Sequence, residues 1–231
     1  MKLAIVGATG ATGQQLVQLA LAAGHHVVAV VRNSDRLALD LRNDKNLSCV
    51  EADIFSADSL AEAFDGAEAV VSCLGAKAAA GPKLPFQSPL TFYEDSGKAI
   101  VNAMKKCSIR RCVVMTSWCT KKEPNNPAFV EWFMRPLLIG RYLDSMARFE
   151  DVLISEKDNI DFTVVRPPGL GDGPAENHEI ATAEGQWVPD SDPKQTMRRA
   201  DIARFMLDCV SGSQWLNKFV AIHNKPQLSS R

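Results

Sequence analysis

The sequence predicts an α/β fold: one doubly wound parallel sheet with helices on both faces. Three observations carry this. Short apolar runs rich in β-branched residues recur at 3–6, 26–31, 47–51, 69–74, 111–116 and 161–166. Stretches of helical period lie between them. The chain has 231 residues, 46% of them hydrophobic and 23% charged, which suits one domain with a full core. No linker, repeat or second domain is read, so residues 1–231 are taken as a single unit.

The N-terminal stretch KLAIVGATGATGQQLVQLALAAG sets the order strand, glycine turn, helix. Leu3 to Val6 is the strand, and Gly7, Gly10 and Gly13 make the turn. Leu16, Val17, Leu19, Ala20 and Ala23 recur at helical spacing before Gly24. A helix N-terminus carries unpaired N–H groups and partial positive charge, which suits a pyrophosphate. Bare glycines let backbone and phosphate approach closely, and Thr9 and Thr12 add hydroxyl donors. The spacing is G-x-x-G-x-x-G, not G-x-G-x-x-G. Its place between strand and helix makes it a Rossmann-like dinucleotide turn.

Bulk properties exclude several functions. A net charge of −1 gives no footprint for nucleic acid or an anionic membrane. No apolar run approaches the roughly 18 residues of a membrane span. Gly7 breaks the first apolar stretch, so it is not read as a signal peptide. The six cysteines form no C-x-x-C pair and are expected as reduced thiols in a cytoplasmic protein. The four histidines lack metal-ligand spacing, so no metal site is expected.

The second strand, His26 to Val31, ends in VRNSDR. An acidic residue near this point holds a ribose 2′-hydroxyl in NAD-binding units, whereas an arginine accommodates a 2′-phosphate. Arg32, with Ser34 and Arg36 just after, favours NADP(H). Ser34 also reads as a helix N-cap with Asp35 in the first turn. After the third strand, Leu47 to Glu51, Asp53 fits either an adenine contact or a turn carboxylate. A helix follows over 56–64 and stops at Gly66.

The fourth strand runs into Leu74-Gly75, where a nicotinamide ribose would lie, and Lys77 reads as a phosphate contact or a solvated lysine. Residues 76–89 carry three prolines and read as a long loop at the site end of the sheet. Ser88-Pro89 reads as the start of a helix reaching about Cys107. The fifth strand ends in Thr116-Ser117-Trp118. The apolar segment 127–139 reads as core, a lid or a partner surface. A helix from about Tyr142 to Ser155 and a sixth strand, Asp161 to Arg166, lead to the loop RPPGLGDG. A short strand at Trp187–Val188, a helix over 199–211 and a strand over 219–222 complete the chain.

GATGATG (7–13), VRNSDRL (31–37), EADI (51–54), CLG (73–75), VVMTS (113–117) and TVVRPPGLGDG (163–173) together resemble the atypical short-chain dehydrogenases/reductases. Within that group the chain is similar to the flavin reductase (NADPH)/biliverdin-IXβ reductase branch and to NAD(P)-binding domain proteins. The resemblance implies a phosphate loop at Gly7, Thr9, Gly10, Ala11, Thr12 and Gly13. It implies a 2′-phosphate site at Arg32, Ser34 and Arg36, and adenine contacts at Asp53 and Ile54. Cys73, Leu74, Gly75 and Lys77 match the ribose and phosphate wall, and Thr116, Pro167, Pro168 and Gly169 the nicotinamide end. Trp118, Gly169 and Leu170 fall on the substrate side. Gly169 replaces a histidine of the flavin reductases, and the loops over 76–89 and 118–140 look longer than theirs. Substrate-side loops are expected at about 76–89, 118–140 and 167–190. The resemblance also implies a monomer.

The Tyr-x-x-x-Lys pair of most short-chain dehydrogenases is missing: Tyr93 and Tyr142 are followed four residues on by Gly97 and Met146. Hydride transfer to a planar conjugated acceptor needs no such pair. The expected function is therefore an NADPH-dependent reductase of a small planar acceptor: flavin as substrate, or a biliverdin or quinone. Ser117 is the catalytic-site candidate, orienting the acceptor, or else a hydroxyl closing a βα turn. Trp118 is a stacking wall or ordinary core. The rival function is an NADP(H)-binding redox sensor without turnover.

Overall fold

A computed structural model describes residues 1–75 and 90–225 of the chain. Lys77, Ser88 and Pro89 lie outside the described residues. The described strands are β1 (Lys2–Val6), β2 (His26–Val31), β3 (Leu47–Glu51), β4 (Ala69–Ser72), β5 (Arg111–Met115), β6 (Asp161–Arg166), β7 (Gly169–Gly171), β8 (Ile180–Glu184), β9 (Thr196–Arg198) and β10 (Lys218–Asn224). The α-helices are α1 (Ala11–Ala22), α2 (Leu39–Arg42), α3 (Ala57–Ala63), α4 (Phe92–Lys106), α5 (Gly140–Ser155) and α6 (Arg199–Ser211).

Eight strands form one sheet in the order β3-β2-β1-β4-β5-β6-β10-β8, and β7 and β9 pair separately. All neighbours in the large sheet are parallel except β10 and β8, which are antiparallel. The central strands are buried on both faces, which is why they read as continuous apolar runs. Alternate side chains feed two cores. One holds Val6, Val30, Val70, Val114 and Val164 against Leu60 of α3, Ile100 and Met104 of α4 and Leu153 of α5. The other holds Ile5, Ala29, Val71, Val113 and Val165 against Leu16 and Val17 of α1 and Ile202 and Met206 of α6. Among the described residues no helix is long and apolar enough to cross a membrane.

The chain departs from the sequence reading in four places. The residues after β2 form a single 3₁₀ turn, Ser34–Arg36. Asn33 caps it, accepting from the Asp35 N–H at 2.8 Å, so Ser34 is not the N-cap. The described α4 starts at Phe92, with Thr91 before it. Trp187 and Val188 form no strand; β8 lies just before them and β7 and β9 on either side of the loop. The segment Val130–Ile139 is a wide π-helix around Pro136. Pro136 offers no N–H and would clash with the preceding turn of an ordinary helix, a conflict that a wider turn relieves. With 3.6 residues per turn lost, Trp132 (84% exposed), Phe133, Leu137 and Leu138 face outward rather than into the core.

The sheet's carboxyl edge is locked by one buried charge cluster. Glu150 of α5 is fully buried and accepts from Arg166 Nε at 3.0 Å and Nη2 at 2.6 Å. It also accepts from the hydroxyls of Thr116 and Thr120, each at 2.8 Å. The third arm of Arg166 donates to the Gly185 carbonyl at 2.6 Å. The cluster thus ties α5 to the ends of β5 and β6. Replacing Glu150 by Ala strands a buried guanidinium and two hydroxyls. The expected cost is about 3–5 kcal/mol of unfolding free energy, read as a lower urea midpoint at unchanged slope.

Candidate cofactor and substrate cleft

The cleft begins where the chain turns out of β1. Gly7 has φ +83°, and a Cβ there would sit 2.9 Å from the Cys73 carbonyl carbon and oxygen. A Cβ at Gly13 would sit 2.1 Å from the Gly7 carbonyl oxygen. Only bare backbone lets α1, the β1 turn and the end of β4 approach this closely. The Gly10 N–H donates to Gly7 O at 2.9 Å, closing the turn. No side chain caps α1 at Gly10, so its first N–H groups remain open to an anion.

These segments border a cleft of about 540 Å³ across the carboxyl ends of β2, β1, β4 and β5. The crossover between β1 and β4, where the strand order reverses, lies at its centre. Gly7, Thr9, Gly10, Ala11 and Thr12 line its floor. Val30, Val31, Arg32, Arg36 and Ile54 line one end, and Cys73, Leu74 and Gly75 the wall beyond β4. Leu90, Phe92, Met115, Leu170 and Arg199 complete the lining. Among the described residues three arginines line this cleft and no carboxylate does, in a chain of net charge −1. Burial pushes the Cys73 thiol up to about 12, so it stays neutral at pH 7 and does not repel an anion. Among the described residues no group of three or more His, Cys, Asp or Glu is placed to hold a metal ion.

The remaining candidates divide. Ser34 and Gly13 lie beside the lining; Gly13 is buried under the turn, supporting it. The Asp53 carboxylate accepts from the Phe55 N–H at 3.0 Å, the turn arrangement, and only its neighbour Ile54 reaches the cleft. Thr116 turns its hydroxyl into the Glu150 cluster and away from the cleft. Ser117 is half-buried just past β5, outside the lining. Trp118 is a correction: it is 4% exposed and packs with Cys119, Val130, Val188 and Ala221, not on the cleft. The reason is a kink at 116–119. There the Trp118 N–H donates to Pro167 O at 3.0 Å, and Cys119 adopts φ 55°.

Pro167 and Pro168 are buried and Gly169 is exposed, and none of the three is in the lining. Leu170 is. It is placed by β7, which pairs with β9 in the register Gly169↔Thr196, Leu170↔Met197 and Gly171↔Arg198. A side chain at Gly169 would meet Thr196 Cγ2 at 3.1 Å, which fits glycine where the flavin reductases carry a histidine.

Arg199, Met115, Leu90 and Phe92 were missed by the sequence reading. Arg199 left a signal: α6 opens on Arg198 and Arg199, where the helix dipole favours acids. Arg198 is anchored to Glu176 at 2.8 Å and to the Asp172 carbonyl at 2.5 Å. Arg199 pairs with the exposed Asp172 carboxylate at 2.5 Å.

The donor set fits a dinucleotide. Open backbone N–H groups at α1 would suit a pyrophosphate, the apolar residues at 30, 31 and 54 would suit a base, and two guanidiniums stand at that end. A family model described as NAD(P)H-binding matches residues 7–212. An uncharacterised chloroplastic protein of Arabidopsis thaliana is 28% identical over 189 residues, covering 79% of this chain and 64% of its own length. The uncharacterised Bacillus subtilis protein YwnB is 29% identical over 115 residues, covering 50% of this chain and 46% of its own length. The chain thus spans less than two thirds of either curated relative.

Two solved structures share the fold. A Veillonella parvula short-chain dehydrogenase/reductase in complex with NADP superposes with TM-score 0.78 at 16% identity, covering 97% of this chain and 94% of its own. ChuY, an anaerobillin reductase of Escherichia coli O157:H7, superposes with TM-score 0.75 at 20% identity, covering 100% of both chains. With nearly its whole length matched, strand ends and glycine turn included, the chain belongs to the NAD(P)H-binding family.

Proposed function

We propose that the protein is an NADPH-dependent reductase of a planar conjugated acceptor, a flavin or a linear tetrapyrrole. The observation that carries the cofactor choice is the lining at the β2 end. Arg32 and Arg36 stand there, both exposed, and among the described residues the lining holds no carboxylate to take a ribose 2′-hydroxyl. Neither guanidinium has a hydrogen bond or ion pair among the described residues, so both are available to a 2′-phosphate. The NADP complex and the tetrapyrrole reductase among the fold's neighbours support the same reading.

Bound NADPH supplies a hydride; with one proton from water the acceptor is reduced by two electrons and NADP⁺ is left. The chain's part is binding and orientation. The α1 N-terminus holds the pyrophosphate, and Arg32 and Arg36 hold the 2′-phosphate. Met115, Leu170, Leu90 and Phe92 offer apolar surface for a flat ring and exclude water beside it. Ser117, half-buried just past β5, stands outside the lining and is the hydroxyl that would orient an acceptor ring reaching it. A Tyr/Lys relay has no room at Tyr93: a Cβ at Gly97 would lie 2.0 Å from the Phe149 ring.

A second reading, an NADP(H)-binding sensor without turnover, draws on the same lining, in which Cys73 and the arginines are the only ionisable groups among the described residues. One assay separates the two. NADPH and FMN are mixed with the protein and followed at 340 nm, with NADH and Arg32→Glu alongside. The reductase predicts NADPH consumption, slower turnover with NADH, and a fall in kcat/KM of about tenfold or more in Arg32→Glu, the scale of one lost charge-assisted contact. Tight NADP⁺ binding without turnover over flavins, biliverdins and quinones contradicts the reductase and leaves the sensor.

A further inference from the structure

The cofactor accounts for two of the cleft's three arginines. Arg32 and Arg36 follow β2, at one end of the strand-end row. Arg199 enters from the other side, at the start of α6, beside Leu170 of β7 and Met115 of β5. The short β7–β9 pairing puts it there: Gly171 sits opposite Arg198, so the chain passes from β9 into α6 directly over the loop that carries Leu170. Asp172 grips the Arg199 Nη1 at 2.5 Å, while Asp172 itself is 84% exposed. The pair fixes the guanidinium at the edge of the cleft and leaves its Nε and Nη2 donors without a partner among the described residues. The lining from β5 and β7 at that side, Met115 and Leu170, is apolar. A flat ring with one anionic arm matches such a surface, apolar over most of its area and cationic at one edge.

Resting on the reductase reading above, we propose that Arg199 is the specificity residue for the acceptor. It binds an anionic side group, a phosphate or a carboxylate, on a planar apolar ring seated against Leu170 and Met115. Asp172 is a positioning residue that aims the guanidinium. The preferred acceptors are then anionic conjugated rings, and neutral rings of the same shape bind more weakly.

The test measures binding in the complex with NADP⁺, where no hydride is available, so it does not depend on turnover. FMN is compared with riboflavin, which has the same ring without the phosphate. Biliverdin is compared with its dimethyl ester, which lacks the free carboxylates. Each is titrated against the wild type, Arg199→Ala and Arg199→Lys by fluorescence or absorbance. The wild type is expected to prefer the anionic member of at least one pair by about tenfold or more, the scale of one charge-assisted hydrogen bond. The pair that shows it identifies phosphate or carboxylate as the recognised group. In Arg199→Ala the preference falls to within about twofold, and Arg199→Lys restores part of it, as a charge without the planar fork would.

Two results overturn the proposal. One is the absence of any anionic preference in the wild type for both pairs. The other is a loss of NADP⁺ affinity in Arg199→Ala that matches the loss for the acceptor, which would make Arg199 a cofactor phosphate contact. NADPH consumption is measured in parallel. A preference that Arg199→Ala abolishes, found without any NADPH consumption, supports the subsite while contradicting the reductase reading.

Discussion

The molecule depends on one close approach. The Gly7 carbonyl lies where any side chain at Gly13 would have to go, and Gly7 itself abuts the backbone of Cys73 and Leu74. That contact sets the start of α1 against the switch point between β1 and β4. It leaves the helix without a side-chain cap and its N–H groups facing a cleft. A structural cap would stabilise the helix by roughly 1 kcal/mol but would occupy those donors. The fold forgoes that stabilisation and leaves those donors open to the cleft.

Around this point the two halves of the sheet do different work. The β1–β3 half presents Arg32, Arg36 and Ile54 and bears on cofactor choice. The β4–β6 half presents apolar residues and is held by the buried Glu150 cluster. Buried ion pairs are poor sources of net stability, because desolvation offsets their attraction. This one also consumes the Thr116 hydroxyl and orders the turn that follows β5. Its placement suits fixing the geometry of the carboxyl ends of β5 and β6. The same logic extends to Asp201, fully buried at the start of α6, which accepts from the Glu176 and Asn177 N–H groups at 2.9 and 3.2 Å. It holds down the loop between β7 and β8.

Much of this was legible in the sequence, for physical reasons. Parallel strands buried on both faces must be largely apolar, so β2 and β6 were found with their observed bounds; β3, an edge strand with half-exposed residues, was also found at its observed bounds. The glycine turn was legible because its geometry admits almost no other residue. What was not legible depends on pairing across the chain. β7, β8 and β9 carry small or polar residues with no clear alternation, and exist because β7 and β9 pair with each other and β8 pairs with β10. Thr116 and Trp118 follow β5 as a site reading expects, yet Glu150, thirty-odd residues on, captures one and a kink buries the other. The 130–139 segment was read as helical, with core, lid and partner surface all open; Pro136 does not permit an ordinary turn there, and the wider turn leaves its large apolar residues facing out, against the core reading. Arg199 was passed over because a basic residue opening a helix reads as local chemistry, and its place in the cleft appears only once β9 is paired with β7.

The central claim is that two arginines in a cleft lined without carboxylates select a cofactor bearing a 2′-phosphate. Calorimetric titration of NADP⁺ and NAD⁺ into the same preparation tests it most directly, with Arg32→Ala/Arg36→Ala beside the wild type. NADP⁺ is expected to bind at least about tenfold more tightly than NAD⁺, with the ratio falling towards one in the double variant. Equal or tighter binding of NAD⁺ by the wild type would contradict the account.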